Sequence, residues 1–120
     1  IDFYAEATRL SKVNADKAEY QYKIGQIYYS KLGNYPRTKE YAKNAIEFNS
    51  QYGNAYLLIG LAYAGAKGIF GDPVLDKTVF WAAVDKYNKA KQVDPSLTDD
   101  ADKLIRTYRQ YFPSKDDIFF

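Results

Sequence analysis

The phrase Ile24-Gly25-x-x-Tyr28 returns as Ile59-Gly60-x-x-Tyr63, each of its three residues recurring 35 positions further on. A repeat of that period builds a stack of similar units rather than one closed globule, because each unit keeps an apolar face that only its neighbour can cover. The downstream halves align at an offset of 45: Tyr35 with Phe80, Thr38 with Ala83, Ala42 with Tyr87, Ala45 with Ala90 and Ser50 with Pro95. The second copy therefore carries an insertion of about ten residues, the difference between the two offsets. Glycine at 25 and 60 has a physical reason. Lacking a side chain, it lets a second helix cross closely, and large residues above and below fill the gap.

Hydrophobic spacing predicts helices near 1–11, 17–31, 36–48, 53–65, 74–93 and 98–111 and no strand, an all-α fold. Asn14-Ala15-Asp16 is expected to cap the helix that follows it. Gly33 suits a left-handed helix end and Pro36 a first helical turn. Asn49 to Gly53 separates the two units, and Asp94-Pro95 closes the second. Asp99, Asp100 and Asp102 fall in the first turn of the final helix, where negative charge meets the positive end of the dipole, while Arg106 and Arg109 lie nearer its far end. A calcium loop does not fit, since Thr98 to Lys103 contains no Gly between alternating ligands.

These residues resemble the tetratricopeptide repeat, a helix-turn-helix unit marked by an aromatic, a Leu-Gly-like pair, a Tyr, three small or aromatic positions and a closing Pro. Tyr56, Ile59, Gly60, Tyr63, Ala83, Tyr87, Ala90 and Pro95 meet that pattern in the second unit. The first keeps Ile24, Gly25, Tyr28 and Ala45 but departs from it at Gln21, Thr38, Ala42 and Ser50. The resemblance implies an α-solenoid divided as 1–15, the last helix of a preceding repeat with its linker; 16–52, a degenerate repeat; 53–95, a repeat with an inserted loop at 64–76; 96–112, a capping helix; and 113–120, a tail. Phe3, Ala7 and Leu10 share one helical face, and the chain holds no Met. Both point to the C-terminal portion of a longer array, with more repeats upstream, and the resemblance implies a bacterial one. Tyr28, Tyr63, Tyr87 and Trp81 are assigned to packing between helices.

Composition narrows the function classes. Seventeen basic and fifteen acidic residues leave a net charge of +2 with no basic block, which argues against nucleic acid and anionic membrane surfaces. The longest uncharged apolar stretch, Ala55 to Ala66, is twelve residues and too short to span a bilayer. Without His or Cys the commonest general base, thiol nucleophile and sulfur-built zinc site are missing, so no enzyme, cofactor or metal is expected. The glycines at 65, 68 and 71 do not form a phosphate loop, which needs Gly-x-x-x-x-Gly-Lys followed by Ser or Thr. They mark the inserted loop, whose Ile69, Phe70, Val74 and Leu75 either fold back on the body or face a partner. Resemblance to bacterial repeat proteins, some of them exported, leans to a soluble, extracytoplasmic (periplasmic) setting.

In such arrays the first helix of each pair lines a concave groove. The resemblance places Tyr22, Lys23, Gln26 and Tyr29 there from the first unit, Asn54, Leu57, Leu58 and Leu61 from the second, and Asp102, Arg106 and Arg109 from the final helix. Tyr and Arg are residue types favoured at binding hot spots. A protein or peptide partner is implied, with Ile69 and Phe70 of the inserted loop as a possible second contact. The clamp that grips chaperone carboxyl termini needs Lys and Asn where Tyr22, Gln26 and Leu58 stand, so that ligand is not implied. An extended or helical peptide with apolar anchors and an acidic residue suits the groove better. The other reading is architectural, an end cap for a longer array whose final helix and tail cover the last apolar face. Ile118, Phe119 and Phe120 at the tail are expected to dock on the body or lead into a further domain.

Overall fold

A computed structural model describes residues 1–65 and 73–109, with side chains through residue 65 and again from 79 to 107. Among the described residues every regular element is helical: α1 (Asp2–Leu10), α2 (Asn14–Ile27), α3 (Tyr35–Phe48), α4 (Gly53–Gly65), α5 (Pro73–Val93) and α6 (Thr98–Arg109). A π-helical turn, Tyr28–Leu32, extends α2, and a short 3-10 turn, Pro95–Leu97, precedes α6. Each helix packs chiefly on the one before and the one after it, and α2 touches α4 only lightly.

The breaks follow from backbone chemistry. Gly33 has φ 60° and ψ 23°, a left-handed conformation that a Cβ would strain. Just beyond it, the Asn34 N–H donates to the Tyr28 carbonyl at 3.0 Å, closing the widened turn. Asn34 then caps α3, its Oδ1 accepting from the Arg37 N–H at 3.1 Å, and Pro36 sits in the first turn, where no donor is lost. The expected cap at Asn14-Ala15-Asp16 is corrected: α2 already begins at Asn14, with Val13 as the capping residue and no side-chain cap. Ser11 holds this entry instead, its Oγ accepting from the Val13 N–H at 3.2 Å. Asp16 thus lies inside the first turn, where its negative charge meets the positive end of the helix dipole.

Two apolar clusters run along the helices. One gathers Ala18, Ala42, Ala45, Ala55, Leu58 and Ile59 between α2, α3 and α4; the other gathers Ala64, Val79, Phe80, Ala83, Val84, Tyr87, Ala101 and Ile105 between α4, α5 and α6. Tyr63 packs against both. The alanines of the first cluster let helix backbones approach, and the glycines go further. A Cβ built on Gly25 would lie 3.3 Å from the Thr38 carbonyl and 3.5 Å from the Ala42 nitrogen; one on Gly60 would lie 3.0 Å from the Ala83 carbonyl and 2.4 Å from the Tyr87 ring. Thr38 with Ala83 and Ala42 with Tyr87 are two of the pairs that the 45-residue offset aligns.

Among the aromatics assigned to packing, Tyr28 stacks on Tyr41 of α3 with centroids 5.5 Å apart, and Tyr87 is fully buried. Trp81 is a correction, since it is 40% exposed. The buried stripe of α5 is Val79, Phe80, Ala83, Val84, Tyr87 and Ala90, and Trp81 falls with exposed Asp85 on the opposite side of the helix. Gln21, which stands where the motif has an aromatic, is buried in a polar relay. Its Nε2 donates to Thr8 Oγ1 and its Oε1 accepts from Asn44 Nδ2, both at 3.0 Å, and Thr8 Oγ1 in turn donates to the Tyr4 carbonyl at 2.8 Å. Three helices are joined through one amide.

Candidate functional site

The 3.6-residue period puts Tyr22 and Gln26 on one face of α2 with Lys23 and Ile27 beside them, and the π-turn that extends the helix adds Tyr29 and Ser30. The same face of α4 carries Asn54, Leu57, Leu58 and Leu61. Tyr4 of α1 and Leu104 of α6 close the ends, and together these side chains line a concavity of about 500 Å³. All eight groove positions named on α2 and α4 from the sequence lie in it.

Its floor is apolar. Leu58 is only 4% exposed and belongs to the first core cluster, with Cδ2 3.2 Å from where a Gly25 Cβ would stand. Leu57 and Leu61 are half-buried against the second cluster. The walls are aromatic and amide. Gln26 Nε2 donates to Tyr22 Oη at 3.0 Å, fixing both side chains one helical turn apart. The Tyr22 ring packs against Tyr52 at 5.2 Å, and Tyr29 against Tyr35 at 5.7 Å. These aromatics are therefore braced before anything binds, which lowers the entropic cost of using them. Burial raises the Tyr22 phenol above its ordinary pKa, and the Gln26 hydrogen bond opposes that in part. Tyr52 is pushed up to about 12, first by burial, then by Tyr22 and Glu19. Among the described residues, Lys23 is the single charged side chain of the lining and makes it cationic.

The final helix behaves differently from the sequence-based expectation. Asp102 does not line the concavity; its Oδ1 accepts from Lys91 Nζ of α5 at 2.6 Å. The helix phase explains this: Ala101, Leu104 and Ile105 turn inward, which leaves Asp102 at the α5 seam and Arg106 exposed outside the lining. The side chain of Arg109 and the loop residues Ile69 and Phe70 lie outside the described residues, as do Val74 and Leu75 at side-chain level and the tail Ile118 to Phe120. Asp99 and Asp100 occupy the first turn of α6, as helix-start acids do.

Sequence reasoning missed Tyr4, Ile27, Ser30 and Leu104. Ile27 and Ser30 carried a usable signal, each four residues after a groove residue on α2. Tyr4 and Leu104 had none, because their place depends on how α1 and α6 lean on the pair between them. Among the described residues, no helix is long and apolar enough to cross a membrane. No family model, curated protein or solved structure matches the chain.

Proposed function

We propose that the chain is a helix-pair array of the tetratricopeptide kind that holds a peptide or protein segment in the concavity between α2 and α4. The observation that carries this reading is the lining itself: equivalent faces of two helices, 35 residues apart in sequence, converge on one apolar and aromatic trough with a single cation among its described residues. The glycine crossings add support, since Gly25 and Gly60 meet α3 and α5 at positions that the repeat alignment pairs. Leucine and tyrosine walls favour a ligand with apolar or aromatic anchors, and Lys23 favours one acidic residue among them.

The test is to select peptides from a random library against the intact chain and measure their affinity for variants. Tyr22→Ala with Tyr29→Ala should weaken the selected peptides at least about tenfold, because a truncated hot-spot aromatic commonly costs on the order of 2 kcal/mol. Lys23→Glu should weaken acidic peptides and spare neutral ones. Ile69→Ala with Phe70→Ala in the inserted loop is the matched control. Loss of binding in the loop pair with none in the groove pair moves the interface to the loop and ends the groove reading.

One observation favours the architectural alternative. Among its described side chains the outer face of α6 is polar, with Asp99, Asp100, Lys103, Arg106 and Thr107 exposed while Ala101 and Ile105 are buried, as a terminal capping helix requires. A cap and a groove are compatible in one chain, and deleting 98–120 separates them. A cap predicts insolubility, whereas a binding element alone predicts a folded remainder.

A further inference from the structure

The sequence contains no Cys, no Met and no His, but thirteen Tyr and a single Trp. An oxidant therefore meets phenols where other chains offer sulfur first. Three tyrosine pairs stand close across the packed helices: Tyr22 with Tyr52 at 5.2 Å, Tyr28 with Tyr41 at 5.5 Å and Tyr29 with Tyr35 at 5.7 Å between ring centroids. Their orientations differ. The first and third pairs are tilted by 56° and 52°, whereas Tyr28 and Tyr41 lie within 15° of parallel. That pair also shares a neighbour. Arg37, one turn before Tyr41 on α3, is held above its ordinary pKa first by its hydrogen bond to Glu40 and then, more weakly, by both phenols, which places the two hydroxyl ends near one guanidinium. Parallel rings whose hydroxyls face the same way bring the carbons ortho to those hydroxyls side by side. Both rings are half-buried next to the exposed Arg37 and Glu40, and neither lines the concavity between α2 and α4.

We propose that Tyr28 and Tyr41 form a site of oxidative cross-linking, joined as a dityrosine when the chain meets hydrogen peroxide and a haem peroxidase. Each phenol gives up one electron and its hydroxyl proton, leaving a phenoxyl radical with spin on the oxygen and the ortho carbons. One ortho carbon of each ring then forms a single C–C bond, and the hydrogens that those carbons carried shift to the oxygens, which restores both rings as phenols. Two hydrogens leave in all, and one hydrogen peroxide takes them up as two waters while the peroxidase returns unchanged. The fold supplies the proximity. Free radicals in solution have to find each other, whereas these two are held as neighbours by the packing of the α2 extension on α3. The product ties the π-turn Tyr28–Leu32 to α3 across the bend at Gly33. That is a covalent staple in a chain whose 120 residues hold no Cys to make a disulfide.

Treating the intact 120-residue chain with a haem peroxidase and limiting hydrogen peroxide tests it. The monomer fraction should lose the mass of two hydrogens and gain the fluorescence of a biphenol. Its cross-linked yield should stay level between about 1 and 50 µM protein, as a step within one chain requires. Tryptic digestion should leave peptide 24–31 joined to peptide 40–43, which carry the two rings. Tyr29 shares the first of these peptides, so its own variant separates the two: Tyr29→Phe should keep the link, while Tyr28→Phe and Tyr41→Phe should each cut its yield at least about tenfold. Phenylalanine preserves the ring, and helical circular dichroism checks that each variant is folded. The pairs Tyr22–Tyr52 and Tyr29–Tyr35 are the internal control, as close but tilted, and their links should be minor products. The proposal is overturned by a monomer mass that does not change, by coupling only between chains, by a main link that maps to another pair, or by a link that survives Tyr28→Phe or Tyr41→Phe.

Discussion

Gly25 and Gly60 occupy the same place in the repeat, yet their surroundings differ in a way that fixes different tolerances. A methyl at 60 would enter the ring of Tyr87, which is fully buried and has nowhere to go, and would press on the Ala83 carbonyl. At 25 the closest atom is the flexible end of Leu58, at 3.2 Å. Gly60→Ala is therefore expected to cost about 1–3 kcal/mol through overpacking. Gly25→Ala offsets a smaller strain with the helix propensity of Ala, worth about 1 kcal/mol, and should stay within about that amount of the parent. Melting temperatures of the two variants decide it, and equal values would remove the close-crossing argument. The phenols supply a pH dependence. A raised pKa means that the folded state keeps its proton while the unfolded chain loses it near 10, so the stabilisation is complete below pH 10 and is lost as pH climbs towards about 12. Melts between those values should fall with pH, and Tyr52→Phe should flatten the fall. Gln21 reaches Thr8 and Asn44 at once, so Gln21→Leu strands two partners and should cost about 1–3 kcal/mol in denaturant midpoint terms.

At the scale of elements, turn chemistry made most boundaries legible. Gly33, Asn34 and Pro36 marked one junction, and Gly53 to Gly65 appears with the limits that spacing predicted. The start of α2 was misread because Asn14 and Asp16 are good capping residues and equally good first-turn residues; Ser11 Oγ, which settles the matter, acts through a contact that no local pattern announces. The π-turn was likewise invisible, as its hydrogen bonding depends on the left-handed Gly33 beyond it. For the site, the faces of α2 and α4 could be read from periodicity, whereas the outward phase of Trp81 and the diversion of Asp102 to Lys91 required the packed neighbours. The Lys91–Asp102 pair is about one-third exposed on both sides, which places it among weak ion pairs. Lys91→Met should change stability by less than about 1 kcal/mol, a difference that a double-mutant cycle with Asp102→Asn can read. A larger coupling would give α6 a tether stronger than its apolar contacts.

For the whole molecule, the consequence lies in the pattern of neighbours. The helices lean chiefly on the elements that precede and follow them in sequence, and the principal extents of 53 × 30 × 19 Å reflect helices laid side by side. A chain of this kind has little loop-closure entropy to overcome before its contacts reward it. Refolding should accordingly run in milliseconds or faster, as in other proteins of low contact order. Opening need not be all-or-none either: α1, held mainly by α2 and the amide relay, can detach while α3, α4 and α5 stay together. Amide hydrogens of α1 should then exchange with solvent well ahead of those in α4, and the chain would lose its order from one edge inward rather than everywhere at once.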